Sequence, residues 1–189
     1  MYKQTLPIIL ASKSPRRQEL LQAMGINFNV LLKDVDESYP EELSPSEIAC
    51  YIAEKKAVAF AHERAESLVI TADTIVAYQG EIMGKPGNTA EAIEMLGKLS
   101  GTIHQVYTGV SLAHLNKLET FYDMTEVCFR KINDEEIVHY VENFRPFDKA
   151  GSYGIQDWLG FVAVEKISGS YTNVMGLPTE KLYVALSNF

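Results

Sequence analysis

The sequence predicts an α/β fold in which strands and helices alternate along the chain. One observation behind this prediction is that short apolar or alternating stretches are separated by segments whose apolar residues recur at helical spacing. Another is that the helical segments open on capping residues. No repeat, linker or low-complexity tract interrupts this order. We therefore expect residues 1–189 to form a single domain, either compact or built of two small lobes.

The predicted helices are recognised by their starts. Ser, Thr or Asn caps the N–H groups of a first turn, Pro is favoured at its first position, and Glu at its third position completes a capping box. We expect helices at Ser14-Pro15 up to Met24, at Ser44-Pro45 up to about Phe60, at Asn88 or Thr89 up to Leu99, at Asn133 up to about Glu142, and at Pro178-Thr179 up to Leu186.

The predicted strands are the apolar or alternating stretches between these helices. Residues 67–72 are predicted to form a buried strand that ends at Asp73-Thr74, and residues 75–78 either continue it or begin the next element. Hairpin turns are predicted at Gln79-Gly80-Glu81 and at Asn116-Lys117. The full set of expected strands is residues 5–10, 26–32, 67–72, 105–115, 118–130 and 159–167.

Arg16 and Arg17 fall in the first turn of the first predicted helix. The helix macrodipole is positive there, so each cation costs on the order of 0.3 to 1 kcal/mol. A phosphate would offset this charge, because free backbone N–H groups point outward at the same place and a guanidinium matches phosphate oxygens. The alternative is that both arginines are solvated or paired with an acid such as Glu19.

The net charge restricts the possible partners. The chain of 189 residues carries a formal net charge of −8 and has a pI of about 5.0, whereas nucleic-acid binding needs a basic face. No apolar run approaches the roughly 20 residues of a bilayer span, and the first segment is too short for a signal peptide. We expect a soluble cytoplasmic protein that binds neither nucleic acid nor membrane, with Cys50 and Cys128 as buried thiols.

Acidic residues supply candidates for catalysis or metal binding. Asp73 follows a buried strand, and the working residues of open α/β sheets gather beyond the carboxyl ends of strands. The alternative for Asp73 is a turn or an Asx cap. A run of acids before the second helix could hold a divalent metal beside polyphosphate, although such a run is usually only a solvated surface. Its members are Asp34, Asp36, Glu37, Glu41, Glu42 and Glu47.

Two glycine-containing loops supply further polar groups. Lys85 lies in residues 84–87, and Lys149 and Gln156 lie in residues 147–156, where glycines let the backbone approach a ligand. The Gln156 amide carries a donor and an acceptor, as the edge of a nucleotide base requires. The alternative is that residues 147–156 form only an ordinary turn. The sequence has no P-loop pattern, no Gly-x-Ser-x-Gly elbow and no zinc-ligand spacing.

Several segments carry a resemblance to a known family, in the family's order. They are Leu10-Ala11-Ser12-Lys13-Ser14-Pro15-Arg16-Arg17, Asp34-Val35-Asp36-Glu37, Ala72-Asp73-Thr74-Ile75-Val76, Gly84-Lys85-Pro86, the stretch from Asp148 to Gln156, and Asn173-Val174-Met175-Gly176-Leu177-Pro178. On these motifs the sequence resembles the Maf family of nucleotide pyrophosphatases along nearly its whole length. The resemblance implies an elongated α/β structure, with a mixed sheet flanked by helices and a central cleft, similar to the inosine triphosphate pyrophosphatases.

The resemblance also implies an activity and its residues. The expected reaction is hydrolysis of a nucleoside triphosphate to the monophosphate and pyrophosphate, with a divalent metal cation, Mg²⁺ or Mn²⁺. Asp73 matches the position of the proton acceptor, and Glu37 and Asp73 are the implied metal ligands. Whether Asp73 deprotonates water or binds the metal stays open at this stage. The implied substrate-binding residues are Ser12, Arg16, Arg17, Lys56, Thr74, Lys85, Lys149 and Gln156.

The resemblance also implies which nucleotide base is preferred. Arg16, Thr74 and Gln156 match positions that separate a branch acting on dTTP and UTP from a branch acting on 7-methyl-GTP, and the Asp-Thr and Ile-Gln pairs here resemble the former. One departure is Asp157-Trp158, where many relatives carry a small glycine-containing run. This departure affects the geometry of the loop and therefore the base preference.

The leading hypothesis is an enzyme that hydrolyses dTTP, UTP and modified pyrimidine triphosphates. The alternative is a nucleotide-binding regulatory protein that acts on septum formation or cell division without turnover. A single-strand nucleic-acid binder is disfavoured by the acidic charge. The long hairpins predict an exposed edge, which a second subunit of a homodimer would cover.

Overall fold

The computed structural model describes residues 3–189. Its strands are β1 (Ile8–Leu10), β2 (Asn29–Val30), β3 (Leu68–Tyr78), β4 (Glu81–Met83), β5 (Ile103–His114), β6 (Lys117–Phe129) and β7 (Val164–Ser168). Its α-helices are α1 (Pro15–Ala23), α2 (Pro45–Val58), α3 (Thr89–Leu99), α4 (Asp134–Phe144), α5 (Trp158–Ala163), α6 (Tyr171–Met175) and α7 (Thr179–Asn188). Short 3-10 turns cover Glu63–Ala65 and Ala150–Ser152. Within residues 3–189, no helix has both the length and the apolar character that crossing a bilayer requires.

The strands form one mixed sheet. The order along it is β2-β1-β3-β5-β6-β7, and β4 pairs with β3 outside this path. β1 runs parallel to β2 and to β3, with Ile9 opposite Asn29 and Val69, whereas the β3–β4 and β6–β7 pairs are antiparallel. Parallel neighbours need a crossover, which α1 and α2 supply. This arrangement confirms the predicted α/β class with a mixed sheet flanked by helices.

The first of two compact units comprises the chain up to Asp73, Thr108–Asp123 and Gly176–Phe189. Within it α2 packs so tightly on β5 that a Cβ at Gly109 would lie only 2.3 Å from the carbonyl oxygen of Ala49. Helix α2 is also tied to β3, where the Thr71 hydroxyl donates to the carbonyl of Ala53 at 2.6 Å. Lys56, in the last turn of α2, is thereby held next to Asp73 on β3.

The second unit comprises Thr74–Tyr107 and Met124–Met175 and has its own apolar core. Helices α3 and α4 pack against each other in it. The ring of His104 lies among aromatic side chains, and its Nε2 is 2.8 Å from the hydroxyl of Tyr153. Burial lowers the pKa of His104 to about 4. The imidazole is therefore a neutral core group at neutral pH.

The predicted helix starts are confirmed. Pro15 opens α1 after Ser14 as N-cap, and the Asn88 side chain caps α3 by accepting the N–H of Glu91 at 3.0 Å. Capping boxes open α2 and α4. Each of these boundaries depends on groups within a few residues of one another, so the local sequence is sufficient to predict it.

Three predicted strands are wrong in extent or type. The strand expected at residues 5–10 begins only at Ile8, and of residues 26–32 only Asn29–Val30 pairs, at the edge of the sheet. Residues 159–163 form most of α5, and only residues 164–167 of this stretch belong to a strand, β7. At Gly160 a Cβ would collide with the backbone of Ile155. This close packing of the chain overrides the strand propensity of the apolar residues around it.

Strand β3 continues through Asp73 and Thr74 to Tyr78, so Asp73 lies neither at a strand end nor in an Asx cap. The β5–β6 turn lies at residues 115–116, one residue before its predicted place. Leu115 adopts a φ of 51° there, and its N–H donates to the carbonyl of Arg64 at 2.7 Å. A tertiary hydrogen bond therefore fixes the exact position of the turn, and no local pattern predicts that bond.

The cysteine prediction needs a small correction. Cys50 and Cys128 are unbridged thiols, as expected, but both are half-buried and not fully buried. Burial and the nearby Glu54 raise the pKa of Cys50. Its sulfur is therefore mainly a protonated packing group at neutral pH.

Candidate active site

Backbone carbonyls of the first unit hold the half-buried Arg17 side chain. Its Nε donates to the carbonyl of Gly176 at 2.7 Å, and its Nη1 donates to the carbonyl of Ala72 at 2.9 Å and faces the buried Ser12 hydroxyl at 3.4 Å. Burial lowers the pKa of Arg17, an effect that Asp73 opposes and the charge of Arg16 reinforces. The carbonyls thus offset part of the cost of a cation at the start of α1. The alternative in which Arg17 is simply solvated does not hold.

Arg16 occupies the other predicted position, in the first turn of α1, and it is half-exposed. Its charge contributes to lowering the pKa of Arg17, which places two guanidinium groups within electrostatic range of each other. Two cations this close attract a polyanion more strongly than either does alone. The Ser12 hydroxyl thus lies beside a pair of neighbouring cations, Arg16 and Arg17.

Lys56 joins the two predicted acids. Its Nζ lies 2.7 Å from Asp73 Oδ1 and 2.7 Å from Glu37 Oε1. The side chains of Lys56 and Asp73 are 14% and 13% exposed, whereas that of Glu37 is 48% exposed. One ammonium thus orients a buried carboxylate and a half-exposed one toward the same point. Lys56, which the resemblance implies to be a substrate-binding residue, thus has two acids as its partners here.

Two other acids of this run, Asp34 and Asp36, pair with other lysines. Asp36 accepts hydrogen bonds from Ser38 and from Lys55 Nζ, the latter at 2.9 Å, and these bonds lower its pKa well below its usual range. Asp34 lies 3.3 Å from Lys13 on the surface. Of this loop, Glu37 is therefore the acid that the structure places against Lys56.

A divalent cation is the group that the sequence implies, and the donor set can be tested for it. In the described part of the chain, no cluster of three or more His, Cys, Asp and Glu side chains is arranged to hold a metal. Glu37 and Asp73 nevertheless supply two hard oxygen donors around one point. Mg²⁺ is commonly held by one or two carboxylates while substrate phosphates complete its shell. The two carboxylates match this ligand type, and in this structure Lys56 Nζ lies between them.

In the second unit, Lys149 and Gln156 lie on the glycine-containing loop between α4 and α5. The Lys149 side chain is 12% exposed, and its Nζ lies 2.8 Å from Asp148 and 3.5 Å from Asp157. The Gln156 Oε1 atom is buried and accepts no hydrogen bond from residues 3–189. Leaving such an acceptor unpaired costs about 1 to 3 kcal/mol. Such an atom calls for a partner, which an ordered water or a ligand supplies.

Lys85 and Thr74 complete the predicted set. Lys85 is exposed on the loop after β4, and this loop is joined to that of Gln156, because the Gly151 N–H donates to the carbonyl of Gly84 at 3.1 Å. Thr74 is half-buried on β3, directly after Asp73. Ser12, Arg16, Arg17, Glu37, Lys56 and Asp73 thus belong to the first unit, and Thr74, Lys85, Lys149 and Gln156 to the second.

Sequence reasoning missed Tyr140 and the role of Asp157. Tyr140 occupies an apolar position of α4, where its spacing indicates only a core residue. Asp157 stands out in the sequence only as a departure from a family pattern. An aspartate at a helix start ordinarily indicates a cap. Only the folded chain shows that these two side chains bond to each other.

The mixed sheet, the arginine held by two backbone carbonyls and the two carboxylates on one ammonium define an α/β protein with a charged candidate site. The model of the Maf family, described as Maf-like protein, matches residues 7–189. The chain therefore belongs to the Maf family.

Relatives match this chain along most of its length. It is 48% identical over 181 residues to the dTTP/UTP pyrophosphatase of Flavobacterium johnsoniae, a match that covers 95% of this chain and 93% of the relative. It is 52% identical over 181 residues to the dTTP/UTP pyrophosphatase of Phocaeicola vulgatus, covering 95% and 94%. Among solved structures, the Staphylococcus aureus Ham1 protein matches with a TM-score of 0.45 and 17% identity over 65% of this chain and 71% of that one.

Proposed function

We propose that this chain is a nucleoside triphosphate pyrophosphatase that hydrolyses dTTP and UTP to the monophosphate and pyrophosphate. The observation that carries the proposal is the Glu37–Lys56–Asp73 cluster, in a chain that matches proteins of this activity along nearly their whole length. Modified pyrimidine triphosphates are included as substrates, because a site that reads the pairing edge of a pyrimidine tolerates changes on the ring's other edge.

The roles of the first unit follow from its charges. Hydrolysis of a phosphoanhydride needs a carboxylate that orients or deprotonates water and cations that absorb charge on the phosphate oxygens. Asp73 takes the first role, and Arg16, Arg17 and Lys56 take the second, with Ser12 as an additional donor. Glu37 and Asp73 would hold a divalent cation, Mg²⁺ or Mn²⁺, which supplies Lewis-acid stabilisation of the phosphates.

In the second unit we propose four substrate-binding residues. Lys85 and Lys149 are cations suited to phosphate oxygens, and Gln156 and Thr74 carry polar groups suited to a base edge. The unpaired Gln156 oxygen supports this assignment, because thymine and uracil carry a ring N–H that such an acceptor can bind. In this proposal residues 1–189 act as one nucleotide-binding domain.

Three further properties belong to the proposal. We place the enzyme in the cytoplasm, which agrees with two unbridged thiols. We expect a homodimer, since β7 ends the order of the sheet and exposed edge strands are commonly covered by a partner. Removal of divalent cations with a chelator should stop turnover, and Mg²⁺ or Mn²⁺ should restore it.

The decisive experiment replaces Asp73. The purified chain with Mg²⁺ should release pyrophosphate from dTTP and UTP, and Asp73→Asn should lower kcat by about 10³-fold or more with the fold retained. Asp123→Asn is a matched control, because Asp123 is 15% exposed and pairs with Lys181 at 2.7 Å, much as Asp73 pairs with Lys56. Release of orthophosphate alone would reject the proposal. Binding of dTTP without turnover would favour the regulatory alternative.

A further inference from the structure

Asp157 lies at the start of α5 but does not cap it. In the described chain its carboxylate makes no hydrogen bond to the first turn of that helix. Its Oδ2 instead accepts a hydrogen bond from the Tyr140 hydroxyl at 2.9 Å and lies 3.5 Å from Lys149 Nζ. An aspartate in an N-cap position ordinarily accepts a backbone N–H of the first turn. A carboxylate that makes no such bond is held by other interactions. Here those interactions connect α4 to both ends of the Gln156 loop.

The Tyr140 hydroxyl extends this connection into the loop backbone. It accepts the N–H of Gly154 at 3.0 Å while it donates to Asp157. Burial raises the pKa of Tyr140 above its ordinary value, so the hydroxyl keeps its proton and both bonds persist. A Cβ at Gly154 would lie 2.5 Å from Asp157 Oδ2, which shows how closely the carboxylate packs against this backbone.

Gln156 lies between the two attachment points. The backbone is bound at Gly154, the neighbouring carboxylate is bound at Asp157, and the Asp157 N–H donates to the Gly154 carbonyl at 3.1 Å. A side-chain amide can flip to exchange its donor and its acceptor. Thymine and uracil present a ring N–H beside a carbonyl, whereas cytosine presents a ring nitrogen acceptor beside an amino group. An amide held in one orientation therefore distinguishes these bases, and a mobile amide pairs with both.

We propose that Asp157 is a positioning residue that sets base selectivity, because with Tyr140 it holds the Gln156 loop so that the amide oxygen meets the ring N–H of thymine or uracil. This inference rests on the proposed function and adds to it the device that excludes cytosine nucleotides. It also assigns a role to the Asp157-Trp158 departure. The charge of Asp157 on Lys149 acts on the phosphates of all nucleotides alike, so it affects binding but not selectivity.

The test measures selectivity in variants of the whole chain. The variants are Asp157→Ala, Asp157→Asn and Tyr140→Phe, with Asp123→Asn as the control, because Asp123 is a paired aspartate outside this loop. Pyrophosphate release gives kcat/KM for UTP and for CTP, and calorimetry gives the affinities for UMP and CMP. Amide hydrogen exchange over residues 147–157 reports whether the loop has loosened.

The expected results separate positioning from a general structural role. Asp157→Ala and Tyr140→Phe should lower the UTP-to-CTP ratio of kcat/KM about tenfold, with kcat for UTP changed less than about twofold and faster exchange in the loop. Asp157→Asn keeps an oxygen that accepts from Tyr140 and should retain most of the selectivity. Asp123→Asn should leave the ratio unchanged.

An unchanged ratio in folded Tyr140→Phe overturns the inference, even where Asp157→Ala fails to fold. A wild-type chain that binds UMP and CMP equally overturns it as well. A wild-type chain that releases no pyrophosphate rejects the proposed function instead. In that case the UMP-to-CMP affinity ratio of the same variants decides the inference: a fall of about tenfold supports it, and no change overturns it.

Discussion

Replacing Lys56 by Met removes the ammonium between Asp73 and Glu37 but keeps most of the apolar stem of the side chain. The Asp73 carboxylate, 13% exposed, then loses the partner that lies 2.7 Å away. Glu37, which is 48% exposed, regains water readily. The cost of the substitution therefore comes mainly from one nearly buried charge.

The magnitude follows from that burial. Removing one partner of a buried ion pair costs about 3 kcal/mol or somewhat more, because the remaining charge is left uncompensated in a medium of low dielectric constant. Lys56→Met should lower the free energy of unfolding by about 3 kcal/mol. The double variant Lys56→Met/Asp73→Asn should recover about half of this loss, since the orphaned charge is gone.

Urea unfolding at neutral pH measures these values, and the neighbouring lysine supplies the control. Lys55 pairs with Asp36 at 2.9 Å, but the Asp36 side chain is 70% exposed, so water screens this pair. Lys55→Met should leave the unfolding midpoint close to that of wild type. Equal effects of Lys55→Met and Lys56→Met, or no recovery in the double variant, would refute the view that Lys56 compensates a buried carboxylate.

The other predictions concern the buried His104 and two glycines, Gly109 and Gly97. The pKa of His104 is about 4 in the folded chain against an ordinary 6.5. Below pH 6.5 the unfolded chain therefore binds a proton that the folded chain does not. The neutral His104 thus contributes fully to stability above pH 6.5, and about 3 kcal/mol of the free energy of unfolding is lost as the pH falls to about 4. His104→Phe should remove this part of the pH dependence in urea unfolding. Gly109→Ala should destabilise the chain by about 2 to 3 kcal/mol, because its Cβ would lie 2.3 Å from the Ala49 carbonyl oxygen. Gly97→Ala on α3, where a Cβ meets open space, should raise stability by about 0.5 to 1 kcal/mol; thermal melts that show the same sign for both glycines would contradict the packing described for Gly109.

The helix starts and several turns could be predicted from the sequence because their chemistry is local. In the capping box of α4, Asn133 accepts the N–H of Glu136 at 2.8 Å and Glu136 accepts the N–H of Asn133 at 3.0 Å. The turn at Gln79-Gly80 joins β3 to β4 with a positive φ at both positions, as a two-residue hairpin requires. Such features involve residues a few positions apart, so neighbouring side chains contain nearly all the information. The motifs around Arg16, Asp73 and Gln156 likewise indicate the family without reference to the fold.

What the sequence by itself determined is therefore the α/β class, the helix starts, the family and the residue types available for catalysis. The tertiary structure alone decided how those residues are paired. The carbonyl that accepts from Arg17 Nε lies 159 residues along the chain, Lys56 reaches Asp73 across 17 residues, and Tyr140 reaches Asp157 across 17. The physical reason is that a charge or an amide takes its partner from whatever the folded backbone brings within about 3 Å. That distance depends on how α2 packs on the sheet and how α4 packs on the loop, and no local pattern of residues encodes either.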